Sequence, residues 1–396
     1  MHLHALAHAG ASGNRPFTLL RRHLSLQTVA EEPTVNDSLG LPQRLKQAFA
    51  ASLLARLSLG VLALLYGLAL FADILAPYAA DDEARDHSWA APSHIHVRDA
   101  GHWKRPFVRP TSFAFDENAE RIWKEDSSKS ASLQLWVASP GTRLWGILPV
   151  NHRLLGVDAH FGARFYLLGA DSRGRDLFSR ILYGSRISLT IGIFGVSVTL
   201  LLAMLVGGAA GYFGGKTDAV LMRICEVVML VPGFYLMMLL RAVLPLEWSS
   251  ISVYFAIVLI LSFVGWAGLA RILRGMILSI ANLDYVTASK ALGMPAWKIL
   301  WRHVLPQTFG YLAITATLSI PSYIVAESGL SLLGLGIQDP QSSWGNLLSE
   351  AMSVSEIRLH PWSLLPGVFL FLAVMSFNLS GDCLRDALDP RGQDAE

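Results

Sequence analysis

Long apolar segments alternate with polar ones over most of this 396-residue chain. A helix needs about 20 mostly apolar residues to cross a hydrocarbon core of roughly 30 Å. Six segments meet or approach that length, at residues 57–77, 187–212, 220–244, 251–270, 310–329 and 362–379. The pattern therefore predicts an all-α integral membrane protein with six transmembrane helices.

The third of these segments has the most polar interruptions. It contains Glu226 near its start, Pro232 and Gly233 at its middle and Arg241 near its end. Proline kinks a membrane helix, and a long basic side chain near a helix end can reach the interface. We expect a kinked helix whose Arg241 extends to the membrane surface.

The overall composition supports a membrane protein. Hydrophobic residues make up 53% of the chain and charged residues only 16%, which is too apolar for an ordinary soluble domain. The two cysteines, Cys225 and Cys383, both fall at span ends on one predicted side, so we expect buried thiols and no disulfide in the rest of the chain.

The basic residues predict the orientation, because Lys and Arg in short loops stay on the cytoplasmic side. The loop at 271–306 contains a single acid, Asp284, against five basic residues: Arg271, Arg274, Lys290, Lys298 and Arg302. With six spans, both termini are then cytoplasmic. We expect an N-terminal arm at 1–50 without a secretory signal, a first span within 51–77, a membrane core at 187–384 and a tail at 385–396.

Residues 78–186 are too many for a turn, and the orientation places them on the outer side. They contain five tryptophans and short alternating stretches at 96–98 and 133–137 that are typical of strands. We expect a small strand-containing insertion here, followed by an amphipathic segment that leads into the second span. The irregular spacing of its histidines does not indicate a metal site.

Motifs for covalent chemistry are absent from the sequence. Residues 210–217 come within one residue of a phosphate-binding loop, but Ala210 replaces the required glycine and the stretch ends a membrane span. We interpret its glycines as a tight turn. No catalytic constellation is recognised, so we expect neither an enzyme nor a cofactor, metal or nucleic-acid partner.

The polar segment at 284–306 predicts a helix, a glycine break and a second helix. Asp284 is a candidate N-cap, Gly293 permits a left-handed turn and Pro295 suits the first turn of the next helix. Small or apolar residues would form a face that docks into a groove: Val286, Ala288, Ala291 and Leu292. Such a knob between two spans suits the transmission of force from a soluble partner.

Four stretches carry a resemblance to a known family: 285–293 with 302–306, 168–176 with 179–184, 330–340 with 344–345, and 384–391. In this order they resemble ATP-binding-cassette importer permeases of the dipeptide and oligopeptide (peptide/nickel) subfamily, of the second-permease type. The resemblance covers the chain from about Leu168 to Arg391 and implies the type I importer permease fold. The longer external first loop departs from typical members.

The resemblance implies a coupling loop that contacts an ATPase subunit, with Thr287 standing where the family usually has glutamate. The implied contact residues are Thr287, Ala288, Ser289, Ala291, Leu292, Gly293, Leu305 and Pro306. It also implies an external gate that contains Asp171, Arg175 and Asp176, and we favour this role over the alternative that residues 171–185 form only an interfacial helix. Glu327 either faces the pathway or caps local backbone.

The resemblance implies a bacterial inner-membrane importer that works by alternating access. Its partners would be a sister permease, two ATP-binding subunits that hydrolyse ATP, a periplasmic or lipid-anchored solute-binding protein and membrane lipid. The alternatives are the same machine for nickel or another small solute, an ion-coupled secondary carrier and a membrane-anchored structural subunit. The sequence contains no intramembrane charge pairs that would support the carrier.

Overall fold

The computed structural model describes residues 41–99, 102–115, 121–157, 163–245 and 247–388. The predicted N-terminal arm up to residue 40 and the tail from residue 389 lie outside this range. Five helical segments of the described chain are long and apolar enough to cross a membrane: Leu53–Leu70, Leu177–Phe213, Ser250–Ile280, Ala296–Leu332 and Pro361–Leu388. The all-helical membrane architecture predicted from the sequence is confirmed.

The helices are numbered in chain order. The long ones are α2 (Leu53–Leu70), α4 (Leu177–Phe213), α7 (Ser250–Ile280), α10 (Phe309–Leu332) and α13 (Leu365–Leu388). The shorter ones are α1 (Leu41–Ala51), α3 (Ala72–Leu75), α5 (Gly215–Leu230), α6 (Gly233–Ala242), α8 (Asp284–Ala291), α9 (Ala296–Ile299), α11 (Trp344–Ser349) and α12 (Val354–Leu359). Helix α4 begins at Leu177 rather than Ile187, because Asp176 accepts from Ser179 N at 2.8 Å and caps it there.

The third crossing in chain order is divided between two helices, α5 and α6. Helices α5 and α6 are long and apolar enough to cross a membrane only when they are taken together. The chain bends by 86° between them, at Val231-Pro232. Proline explains the break, because it lacks the N–H that would continue the helix. Counted as one broken span, this pair gives the six predicted crossings.

Arg241, at the end of α6, is enclosed by protein. Its side chain is buried, and its Nε donates to the carbonyl oxygen of Leu335 at 2.6 Å. The expected snorkelling was wrong, because a carbonyl in the loop after α10 satisfies this guanidinium inside the protein.

Helices α4 and α7 pack along one another, and α10 lies against α4 and α13. Between α4 and α7 the close approach depends on two glycines one turn apart. A Cβ on Gly207 would lie 2.5 Å from Ala270 O, and one on Gly211 would lie 2.8 Å from Arg274 O. Small residues at this spacing are a known way for membrane helices to pack backbone to backbone.

The insertion between α3 and α4 contains an antiparallel sheet with strand order β1-β2-β5-β8 and two separate hairpins, β3–β4 and β6–β7. The predicted strands at 96–98 and 133–137 are confirmed as parts of β1 and β5. The strands are β1 (His96–Asp99), β2 (His102–Val108), β3 (Thr111–Phe115), β4 (Arg121–Glu125), β5 (Ala131–Ala138), β6 (Arg143–Leu144), β7 (Leu148–Pro149) and β8 (His152–Val157).

The sheet has a small core and rests on α3 through β6 and β8. Its buried apolar residues are Val108, Ala131, Ala163 and Phe165. Cys225 and Cys383 are buried and free, both outside the insertion. The glycines at 214–215 form the turn from α4 to α5, with Gly214 at a φ of 63°, which agrees with the interpretation of 210–217 as a turn.

Candidate functional site

A tight turn before α4 places Asp171 at the centre of a buried ion-pair network. One carboxylate oxygen of Asp171 accepts from the backbone N–H groups of Arg173 and Arg175, at 2.8 and 2.9 Å. The other accepts from Arg175 Nε at 2.7 Å and from Arg180 Nη1 at 2.5 Å. The turn requires Gly174, since a Cβ there would lie 1.8 Å from Ala84 O.

The loop after α10 supplies the other half of this network. Asp339 accepts from Arg175 Nη1 at 2.9 Å and from Arg180 Nη2 at 2.8 Å. Glu350, at the end of α11, accepts from Arg180 Nη1 at 2.9 Å. The network, defined here as Asp171, Arg175, Arg180, Asp339 and Glu350, therefore joins the start of α4 to the loop that follows α10.

Both guanidiniums of the network are buried, and charge partners keep them stable there. Burial by itself would raise the pKa of Asp339, but the hydrogen bond from Arg175 and the charge of Arg180 outweigh it and hold this pKa below its ordinary value. At neutral pH, Asp339 is therefore an ionised partner for both arginines.

Asp176 lies next to the network but has a different role. Its Oδ2 accepts from the N–H and hydroxyl of Ser179, while its Oδ1 has no hydrogen-bond partner among the described residues. Burial raises the pKa of Asp176 to about 7. This carboxyl caps α4 and makes no ion pair in the described chain.

Glu327 is separate from the network. It is buried within α10, where its Oε1 accepts from Ser331 Oγ at 2.6 Å. Its Oε2 has no hydrogen-bond partner in the described part of the chain. In this conformation the carboxyl is enclosed by protein rather than open to a pathway, and its contact is with a serine hydroxyl one turn further on.

Three members of the network were not selected as site residues from the sequence: Arg180, Asp339 and Glu350. One signal was available for Arg180, because an arginine within the first turn of a long apolar helix requires a partner. The two distant carboxylates gave no such signal, since nothing in the local sequence places them beside α4.

At the other end of the membrane core, α8, Gly293 and α9 form the predicted helix-glycine-helix segment. Leu283 occupies the N-cap position of α8 without a side-chain hydrogen bond, so the expected capping by Asp284 was wrong. Asp284 instead lies in the first turn, where its charge suits the helix dipole.

Gly293 ends α8 as predicted. Its φ is 74°, its N–H donates to Lys290 O at 3.0 Å, and the next residue, Met294, donates to Ser289 O at 3.2 Å. This pair of bonds is the Schellman pattern, which favours glycine at the left-handed position. Pro295 is the N-cap of α9, one residue before the expected position.

The two faces of α8 differ. Val286 is buried in an apolar cluster with Ile277 of α7 and Ile299, Val304 and Leu305 of the segment that leads into α10. The expected docking face therefore does not include Val286, which anchors α8 to the membrane core. Lys290 adds a second attachment, because its Nζ donates to Ala281 O at 3.2 Å.

The residues that the resemblance implies as ATPase contacts differ in how exposed their side chains are. Leu305 is buried, and Ser289 and Pro306 are partly buried. Five are exposed and lie on or just after α8: Thr287, Ala288, Ala291, Leu292 and Gly293. Leu292 is 85% exposed, an unusual position for a leucine and one that a soluble partner would cover.

Within the part of the chain that the structure describes, no three His, Cys, Asp or Glu side chains are grouped so that they could hold a metal ion. The contacts described at the two sites are ion pairs, hydrogen bonds and apolar contacts. An arrangement of this kind can hold or transmit a conformation.

Comparison with known proteins identifies the family. Residues 176–393 match the family model described as "Binding-protein-dependent transport system inner membrane component". This match covers more than half of the chain, so the chain belongs to that family of inner-membrane transport permeases. The strand-containing insertion precedes the matched residues.

Curated relatives support the same assignment. The chain is 38% identical over 224 residues to the oligopeptide transport system permease protein OppC of Bacillus subtilis, covering 56% of this chain and 71% of the relative. It is 41% identical over 228 residues to OppC of Haemophilus influenzae, covering 57% and 71%. It is 41% identical over 224 residues to the dipeptide transport system permease protein DppC of Bacillus subtilis, covering 56% and 68%.

A chain of the inward-facing MetNI methionine ABC transporter is similar over 53% of this chain and 95% of its own length. The sequence identity is 16% and the TM-score is 0.40. That likeness is too low to support a conclusion about this chain.

Proposed function

We propose that this chain is a pore-forming permease subunit of an ATP-driven importer that moves dipeptides or oligopeptides across the inner membrane by alternating access. The names of its relatives, which include oligopeptide, dipeptide and glutathione permeases, support this substrate class. The single observation that carries the mechanism is α8, which is anchored by Val286 and presents an exposed Leu292.

The contacts of α8 support a path for force. Val286 packs against α7 and against the segment that leads into α10, so a displacement of α8 moves both helices. The helical segment Ala296–Leu332 has 37 residues and, at 1.5 Å per residue, is roughly 55 Å long. The loop beyond its far end contains Asp339, which is paired with the arginines of α4. In the proposed cycle, movement of α10 opens or closes this network.

The proposed assembly follows from the family. A sister permease would complete the pore, two ATP-binding subunits would contact the α8 segments and hydrolyse ATP, and a periplasmic or lipid-anchored binding protein would deliver the solute. The proposed orientation has both termini and α8 in the cytoplasm, and it is supported by the five basic residues at 271–306. In this proposal Asp171, Arg175 and Asp176 belong to the external gate, and Glu327 joins the pathway only after a conformational change.

The proposal is tested by uptake into proteoliposomes that contain this chain, its sister permease, two ATPase subunits and the binding protein. Labelled peptides of graded length are compared with nickel, with ATP supplied on the ATPase side. We expect ATP-dependent uptake of peptides and no uptake with a non-hydrolysable ATP analogue.

Two outcomes would overturn parts of this proposal. ATP-dependent uptake of nickel, with no uptake of peptides, would show that the chain belongs to an ATP-driven importer whose substrate is nickel. Uptake driven by an ion gradient without ATP would replace the importer by a secondary carrier.

A further inference from the structure

The hairpin of β6 and β7, residues 143–149 and here called the Trp145 hairpin, has an apolar and exposed tip. Ile147 is 78% exposed, Leu148 is 60% exposed and the ring of Trp145 is partly exposed as well. Apolar side chains grouped at one exposed tip are unfavourable in water. An exposed group of this kind marks a contact surface.

The position of the hairpin is fixed by the end of helix α2. Trp145 N donates to Asp73 Oδ2 at 2.9 Å, and the indole Nε1 donates to Leu70 O at 3.1 Å. Arg186 of α4 also binds Asp73 Oδ2, at 2.6 Å, and its guanidinium lies 4.4 Å from the centre of the Trp145 ring. The tip is therefore held at the level where α2 ends.

That level is one end of an apolar span, on the side of the insertion. Helix α2 (Leu53–Leu70) is one of the apolar spans, and Leu64, Leu70 and Phe71 on its outer surface are exposed, as lipid-facing residues are. The exposed tip continues this lipid-facing surface at the helix end. Tryptophan and arginine at such a level are typical membrane-interface anchors.

The backbone of the tip has a left-handed conformation at Trp145, which is unfavourable for a residue with a large side chain. Trp145 has a φ of 55° and Gly146 a φ of 71°, and Ile147 N donates to Leu144 O at 3.1 Å. This is a type I′ turn, whose first central position is best filled by asparagine. A left-handed conformation is unfavourable for tryptophan, and the packing of its ring against Leu70 and Arg186 offsets this cost.

We propose that the Trp145 hairpin inserts its tip into the lipid interface and so anchors the insertion to the membrane. The occupant of this surface is the phospholipid leaflet beside α2, with the side chains of Ile147 and Leu148 among the upper acyl carbons. The inference does not depend on which solute is transported, because it follows from contacts at the end of α2 and from the exposure of the tip.

A depth measurement tests the proposal on the full chain in phosphatidylcholine and phosphatidylglycerol liposomes. Cys225 and Cys383 are replaced by alanine, and a single environment-sensitive fluorophore is attached to Ile147→Cys. The control is Trp103→Cys, a residue that is 71% exposed on β2, on the far side of the sheet from β8. Quenching by lipids that carry a nitroxide on the acyl chain is compared with quenching by aqueous iodide.

We expect the label at position 147 to lose most of its fluorescence to the nitroxide lipid and little to iodide, with the reverse at position 103. Equal behaviour at the two positions overturns the proposal. A label at 147 that is shielded from both quenchers also overturns it, because a protein surface would then cover the tip. Trp145→Asn keeps the turn and removes the ring, so we expect unchanged thermal stability with weaker lipid quenching at position 147.

Discussion

Two arginines, Arg175 and Arg180, remain charged in a buried setting because three carboxylates surround them. Asp171 is central, since its carboxylate accepts four hydrogen bonds from the backbone and from both guanidiniums. Removing one partner of a buried pair leaves the other charge without compensation. Among single residues, Asp171 is therefore the most important for the network. Arg173, which also pairs with Asp339, is half-exposed and contributes less.

We expect Asp171→Asn to destabilise the protein by about 3–5 kcal/mol, because an amide cannot balance two buried guanidiniums. The measurement is thermal or SDS-induced unfolding of the purified protein in detergent. Asp86→Asn is the matched control, since Asp86 is exposed, and we expect it to change stability by no more than about 0.5 kcal/mol. Equal stability of the two variants would show that the network contributes nothing to the fold.

At the scale of the element, the contact between α4 and α7 determines how closely the core helices approach. Gly207 and Gly211 face the backbone of α7, where any side chain would overlap carbonyl oxygens. By contrast, Gly275 of α7 is exposed, and a Cβ there would meet nothing within 4 Å. All three glycines lie in apolar sequence. They differ in packing, because only Gly207 and Gly211 face the backbone of a neighbouring helix.

Gly207→Leu should force α4 and α7 apart and destabilise the fold by about 1–3 kcal/mol or more, because overpacked contacts are relieved only by backbone shifts. Gly275→Leu is the control, and it should leave stability nearly unchanged. Both variants are compared by the temperature at which half of the detergent-solubilised protein aggregates. A Gly275→Leu variant as unstable as Gly207→Leu would contradict this account of the interface.

At the scale of the whole molecule, α8 with Gly293 and the ion-pair network lie at opposite ends of the helical segment Ala296–Leu332. Leu292 is exposed beyond one end, and Asp339 follows the other. A subunit that binds Leu292 would act on the network through this helical segment, in which π-helical and 3-10 turns at 300–308 join α9 to α10. This arrangement agrees with the proposed cycle, in which the energy for movement comes from a partner.

We expect Leu292→Asp to weaken binding of the ATPase subunit by about tenfold or more, because burying an unpaired carboxylate at the interface costs at least about 1.4 kcal/mol. Copurification of the ATPase subunit with the permease measures the effect. Val354→Asp is the matched control, since Val354 is 84% exposed on α12, close in the chain to Glu350 of the network. Full retention of the ATPase by Leu292→Asp would exclude α8 as its contact.

Local sequence was enough to predict six crossings with the bent pair α5–α6 counted as one, the strands β1 and β5, a bend at Pro232 and the left-handed glycine after α8. Each of these depends on residues close together in the chain, namely apolar length, alternation, a missing N–H and a position without a Cβ.

Tertiary packing was needed to show which residues complete the ion-pair network, that Val286 faces inward and that Leu335 satisfies Arg241. Arg180 and Glu350 are 170 positions apart, yet they lie 2.9 Å from each other. Pairing over such a separation depends on how α4, α10 and the loops between helices pack, and no local pattern encodes that. The same holds for the Trp145 hairpin, whose contact with α2 gives an ordinary apolar turn its place at the membrane.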